Sequence, residues 1–213
     1  MIRPRSLRRQ DRAGQRGQGL VELALVLPIF AVLVVSIVEV GLIYGAMQTI
    51  GYASRDGARV GAALAQGSNC GSPPNPGIPD VDAVVLGAVQ RILKSPDSGV
   101  KMPLVNVRIF KTDATGREIS DKINTWGYLG PGLGPDVDPA AGTEKIDFQQ
   151  LTQQWPACTR INGGVSGPDF IGVNVRYRYD FVTPMGAVIN ALAGGNLNVT
   201  LSETTVMALN PTV

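Results

Sequence analysis

Glu22 is the side chain with the strongest claim on chemistry, because it is a carboxylate set in a run of apolar residues. Between Gly19 and Met47 only Glu22, Ser36 and Glu39 interrupt apolar or small side chains, and the next charge is Arg55. An acid inside a bilayer costs about 2.5 to 3.5 kcal/mol on insertion scales, so it seeks a cationic partner. Its other course is to snorkel to the membrane boundary. Glu39 lies about 26 Å further along a helix at 1.5 Å per residue, and both glutamates are expected to mark interfaces.

The parts of ordinary catalysis are missing. With no histidine in the chain, the usual general base, the Ser-His-Asp and Cys-His pairings and most zinc sites are excluded. Cys70 and Cys158 are the only cysteines. In an exported domain such a pair is most simply a disulfide, and in the cytosol it is two inert thiols. If formed, the bond closes a long loop and contributes about 4 to 5 kcal/mol in the chain-entropy picture. Gly130-Pro-Gly-Leu-Gly134 follows no convincing strand and opens no helix, so it is not a phosphate loop. Asp136 and Asp138 lack the remaining spaced ligands of a calcium site. The expectation is a protein that is not an enzyme, with no catalytic residues, no cofactor and no metal.

The element that must hold Glu22 is a membrane helix. The Gly19 to Met47 stretch is long enough to span, and its apolar run is roughly twice that of a cleaved secretory signal. Arg3, Arg5, Arg8, Arg9, Arg12 and Arg16 precede it against Asp11 alone, while the remainder of the chain is mildly acidic. The positive-inside rule then keeps the N-terminus in the cytoplasm and sends the rest across. That remainder has no basic face for nucleic acid.

The order Arg16-Gly17-Gln18-Gly19-Leu20-Val21-Glu22 resembles the class III signal of type IV pilin-like proteins. The wider segment Gly17-Gln-Gly-Leu-Val-Glu-Leu-Ala-Leu-Val-Leu-Pro28, with Glu39-Val-Gly41 and Ala53-Ser-Arg-Asp-Gly-Ala-Arg59, resembles the TadE-like family, pseudopilins of the tight adherence (Tad) pilus system. The resemblance covers about Arg16 to Ala63. It implies cutting of the Gly17–Gln18 bond by a prepilin peptidase, where glycine lets the backbone enter a cleft unobstructed. Gln18 would then carry a new ammonium group, and Glu22, as fifth residue, would pair with a neighbouring subunit's terminus during assembly. Other Tad pilins and pseudopilins, an inner-membrane assembly platform and membrane lipid are the implied partners. The implied location is the inner membrane as a single-pass protein, with the domain outside the cytoplasm and pilus association as its extension. Leu23 stands where the major pilins of the system carry an aromatic residue. The second reading is accordingly a permanently anchored extracytoplasmic binding or scaffold protein, neither processed nor assembled into a filament.

The predicted organisation is a basic leader over 1–17, a transmembrane helix over 18–47, its extramembrane continuation over 48–66, and an extracytoplasmic α+β domain over 67–213. Ile50, Ala53, Gly57, Val60 and Leu64 form one apolar stripe on the continuation, and the surrounding small residues allow close backbone approach. Pro28 is expected to kink the helix. Arg55, Asp56 and Arg59 read as a solvated charged face or a contact with another subunit. Val81, Val85, Ala88 and Ile92 predict a short amphipathic helix after Asp80. Val105, Val107 and Ile109 alternate with polar residues ahead of the Asp113-Ala-Thr-Gly116 turn, a hairpin signal. Ile171, Val173, Val175, Tyr177, Tyr179 and Phe181 mark one buried strand face. Leu197, Val199, Leu201, Met207 and Leu209 predict an antiparallel partner, and between the two a short apolar helix runs from Met185 to Leu192. Residues 127–167, rich in glycine and proline, read as a long loop. The fold class is α+β and pilin-like, a long N-terminal helix on a small antiparallel sheet with one or two short helices.

Overall fold

A computed structural model describes residues 13–66, 80–94, 104–133, 146–163, 167–195 and 199–209. Helix α1 runs from Ala13 to Leu64 as one element of 52 residues with Pro28 inside it, about 78 Å at 1.5 Å per residue. Helix α2 spans Val81–Leu93 and α3 spans Met185–Ala193. The strands are β1 (Leu104–Thr112), β2 (Glu118–Tyr128), β3 (Phe148–Gln153), β4 (Phe170–Tyr179) and β5 (Val199–Ala208). They form one antiparallel sheet in the order β3-β2-β1-β4-β5. This is the α+β, pilin-like plan.

The sheet is built around β4, whose alternation places Ile171, Val173, Val175, Tyr177 and Tyr179 in the core. Val173 lies opposite Ile109 on one side and Thr205 on the other, so the predicted strand pairing is the one formed. The opposite face of β4 is less wet than period-two patterning implies. Phe110 covers Gly172, where a Cβ would come within 2.6 Å of its ring. Asn174 donates from one amide to Ser202 and Thr204 at 2.8 Å each.

Helix α1 packs its C-terminal half on β4, β5 and α2. The clad stripe is Glu39, Ala46, Ile50, Ala53, Gly57, Gly61 and Ala65. Val60 is only half-buried and Leu64 is exposed, which departs from the predicted stripe. An average spacing of 3.5 drifts around a helix of 3.6 residues per turn, and the contact follows the true period to Gly61 and Ala65. Gly57 and Gly61 are where α2 and β4 come closest. A Cβ at Gly57 would lie 2.7 Å from Val89 Cγ2, and one at Gly61 2.7 Å from Ile171 Cδ1. Ser54 adds a polar stitch, donating to the Val173 carbonyl at 2.8 Å.

Two other expectations are corrected. The 127–167 stretch is not one long loop: β2 runs to Tyr128, β3 adds an edge strand, and Ala157–Thr159 forms a 3-10 turn. Ile146, Phe148 and Trp155 from this stretch are core residues. Strand β3 escapes period-two reading because it is an edge strand with only Phe148 buried. Val105 is exposed although it alternates with Asn106, because the β1–β4 register shifts between Leu104 and Asn106 and moves Leu104 into the core. Helix α1 starts at Ala13, inside the 1–17 leader, and its cover begins at Glu39, inside the 18–47 segment. The leader before Ala13, Cys70 with its loop, and Asp136 and Asp138 lie outside the described residues.

Candidate functional site

Helix α1 changes character at Glu39. From Gly17 to Val34 every residue is exposed, and the apolar window there is long enough to cross a membrane with none of it buried. Leaving Leu, Val, Ile and Phe bare in water costs about 1.5 to 3 kcal/mol per side chain relative to burial. A helix that is apolar all round therefore belongs in lipid or among other apolar helices.

The predicted processing and assembly residues sit at the start of this bare half. Gly17 and Gln18 are exposed on α1, and a Cβ at Gly17 would meet nothing within 4 Å. The Gly17–Gln18 bond is helical here, not extended. Glu22 is exposed, and the Gln18 side-chain amide donates to it at 3.2 Å across one turn. The structure thus brings Gln18 and Glu22 together on one helix face. Cys158, on the 3-10 turn, is disulfide-bonded.

Glu39, expected to mark an interface, lies at the contact between α1 and its own domain. It is 3% exposed and accepts four hydrogen bonds from the last residue of β4 and the segment that follows it. Tyr179 Oη donates at 2.7 Å, the Val182 amide at 3.1 Å and the Thr183 amide at 2.9 Å, with the Thr183 hydroxyl as the fourth donor. Both carboxylate oxygens are occupied, so the side chain clamps the strand-to-helix connection onto α1. Burial, and then the carboxylate beside it, push the Tyr179 hydroxyl above its ordinary titration range. Sequence pattern could not pair Glu39 with residues some 140 positions away. The one local hint was a second acid in the apolar stretch between Gly19 and Met47.

The folded domain holds a second buried cluster. Arg160 is fully buried, bonds Asp82 of α2 at 2.5 Å and stacks over the Trp155 ring at 4.6 Å. Asn124 of β2 donates to the same Asp82 at 2.6 Å and to the Trp155 carbonyl at 2.8 Å. Nearby, Asp147 pairs with Lys94 at 2.7 Å, accepts from the Gly132 amide, and gives its own amide to Gln90. Asp169 pairs with Lys111 at 2.7 Å and accepts from the Ile161 amide. These bonds fasten the stretch around β3 to α2 and the sheet. Asp80, beside the cluster, has its carboxyl pushed above the ordinary value by burial and by Asp82. Each acid in the cluster has a structural partner, and among the described residues no three candidate ligands gather around a metal position.

Comparison with known proteins bears on the helix. The model of the family described as TadE-like protein matches residues 17–59, a range that includes Gly17, Gln18, Glu22, Glu39 and the clad stripe as far as Gly57. Searches of curated proteins and of solved structures find no match. Over residues 17–59 the chain is thus similar to the TadE-like family, and the same stretch lies on the one helix, among the described residues, that is long and apolar enough to cross a membrane.

Proposed function

We propose that the protein is a minor pilin-like subunit, a pseudopilin of a Tad-type pilus or secretion assembly, with a structural part in pilus biogenesis and adhesion and no catalytic step of its own. In this reading the N-terminus faces the cytoplasm across the inner membrane and the folded domain lies outside. A prepilin peptidase cuts after Gly17, and the new Gln18 ammonium of one subunit meets Glu22 of the next. Other Tad pilins, pseudopilins and the inner-membrane assembly platform are the partners, and energy for extraction comes from outside the chain.

The observation that carries the reading is the division of α1. One half is clad by its own domain, and the other is bare, apolar and provided with one unburied carboxylate. Such a half can exchange lipid for neighbouring helices without exposing apolar surface to water at either end of the exchange. An uncompensated acid in that setting costs about 2.5 to 3.5 kcal/mol, a selective force for bringing an ammonium to it.

Glu22→Ala tests the assembly step. The expected result is normal membrane insertion with loss of the subunit from sheared pili. Undiminished incorporation overturns the ion-pair role. The intact mass of native protein tests processing, since cleavage removes residues 1–17. A mass that retains Met1 and the six leader arginines leaves the anchored scaffold as the surviving reading.

A further inference from the structure

Between Asp180 and Glu203 the chain carries no charged residue. Helix α3 occupies the middle of that stretch with Val188 at 44% exposure and Leu192 at 84%. Val182, just before it, is half-exposed as well. An apolar surface of this kind on the far side of a soluble domain would be a liability. Here it is not on the far side. An open apolar cleft between α1 and α3 is lined by Ala31, Val32, Val35, Pro184, Met185 and Val188.

The position of that cleft along α1 decides what covers it. A hydrocarbon core of about 30 Å takes roughly 20 helical residues. Counted from Gly19, that length ends beside Glu39. The cleft residues Ala31 to Val35 lie about 5 to 10 Å inside the limit at 1.5 Å per residue, a depth typical of helices that lie in the headgroup and acyl boundary. The Glu39 clamp fixes residues 179–183 to α1, so α3 is held at this level.

We propose that α3 is a second membrane contact, embedded in the leaflet on the folded domain's side, with Val188 and Leu192 among acyl chains and a lipid tail in the cleft against Ala31 and Val35. The proposal rests on α1 being a membrane anchor and is independent of filament assembly. The protein then sits on the membrane by a spanning rod and a lateral foot, which sets the tilt of the domain over the surface.

The test uses the full chain in phosphatidylcholine vesicles, with an environment-sensitive fluorophore on a single new cysteine and the native disulfide left oxidised. Leu192→Cys carries the probe, Leu27→Cys reports insertion of α1, and Leu151→Cys on β3 is the exposed reference. The Leu192 probe is expected to emit to the blue of the Leu151 probe and to lose emission when lipids bear a nitroxide high on the acyl chain. Water-like, unquenched emission at Leu192 beside a quenched Leu27 probe overturns the foot and leaves the anchor standing. An unquenched Leu27 probe overturns both. A blue shift at Leu192 that fades as protein is diluted into lipid, without nitroxide quenching, assigns α3 to contact with a second copy and also overturns the proposal.

Discussion

Replacing Glu39 by alanine removes an acceptor that serves four donors at once. A hydrogen bond to a charged group is worth about 1.5 to 3 kcal/mol, and a buried donor left without a partner costs about 1 to 3 kcal/mol. Simple addition overshoots, because losing the carboxylate also removes its own desolvation, and the Thr183 hydroxyl can turn to water. A net loss of about 3 to 5 kcal/mol is expected, as for breaking other buried charge contacts, against a typical domain stability of about 5 to 15 kcal/mol. Tyr179→Phe removes one donor of the four and should cost about 1 to 2 kcal/mol. Reversible denaturant unfolding in detergent micelles, followed by near-ultraviolet circular dichroism, measures both. Hydrogen exchange at the Val182 and Thr183 amides shows whether the loss is local. If Glu39→Ala lies within about 0.5 kcal/mol of the parent and those amides stay protected, the clamp does not hold the connection and its role is refuted.

The remaining predictions concern the folded domain. Arg160→Met leaves Asp82 buried without its cation and is expected to cost about 3 to 5 kcal/mol, while adding Asp82→Leu recovers a large part, both read by chemical denaturation. Gly57→Ala and Gly61→Ala each gain about 1 kcal/mol of helix propensity but meet a neighbour at 2.7 Å. Val89 Cγ2 belongs to a stiff β-branched side chain on α2, whereas Ile171 Cδ1 is a flexible tip, so melting should show Gly57→Ala destabilised and Gly61→Ala near neutral. Asp80 titrates above its ordinary value of 3.8 in the folded protein, so its ionised form opposes folding. That penalty is present at neutral pH and is relieved as pH falls through the raised folded value. Asp80→Asn should therefore raise the melting temperature at neutral pH, and the gain should vanish below about pH 3.8.

Much of this architecture is legible in the residues because local pattern and final environment agree. The anchor reads from a long apolar run, β4 from strict alternation, and α2 from Val81, Val85 and Ala88 on one face. Where they disagree, the cause is specific. The register shift beside Val105 reverses which neighbour is buried, and one displaced residue is invisible to periodicity. Strand β3 is too polar to announce itself and pairs because β2 offers it an edge. Arg160 carries no local sign of burial, because its ion-pair partner Asp82 is far away in sequence. Gln18 and Glu22 meet across one turn of α1, a contact that helical spacing makes local. Glu39 was visible as an anomaly, but its partners depend on how the whole domain folds back.

The union of bare and clad halves in one unbroken rod has a mechanical consequence. From Glu39 to Ala65 the domain grips α1 along about 39 Å of axis at 1.5 Å per residue. A pull on the domain parallel to that axis loads the whole seam in shear, so its contacts resist together instead of peeling one after another. Traction applied at the domain is handed to the bare helix with little give.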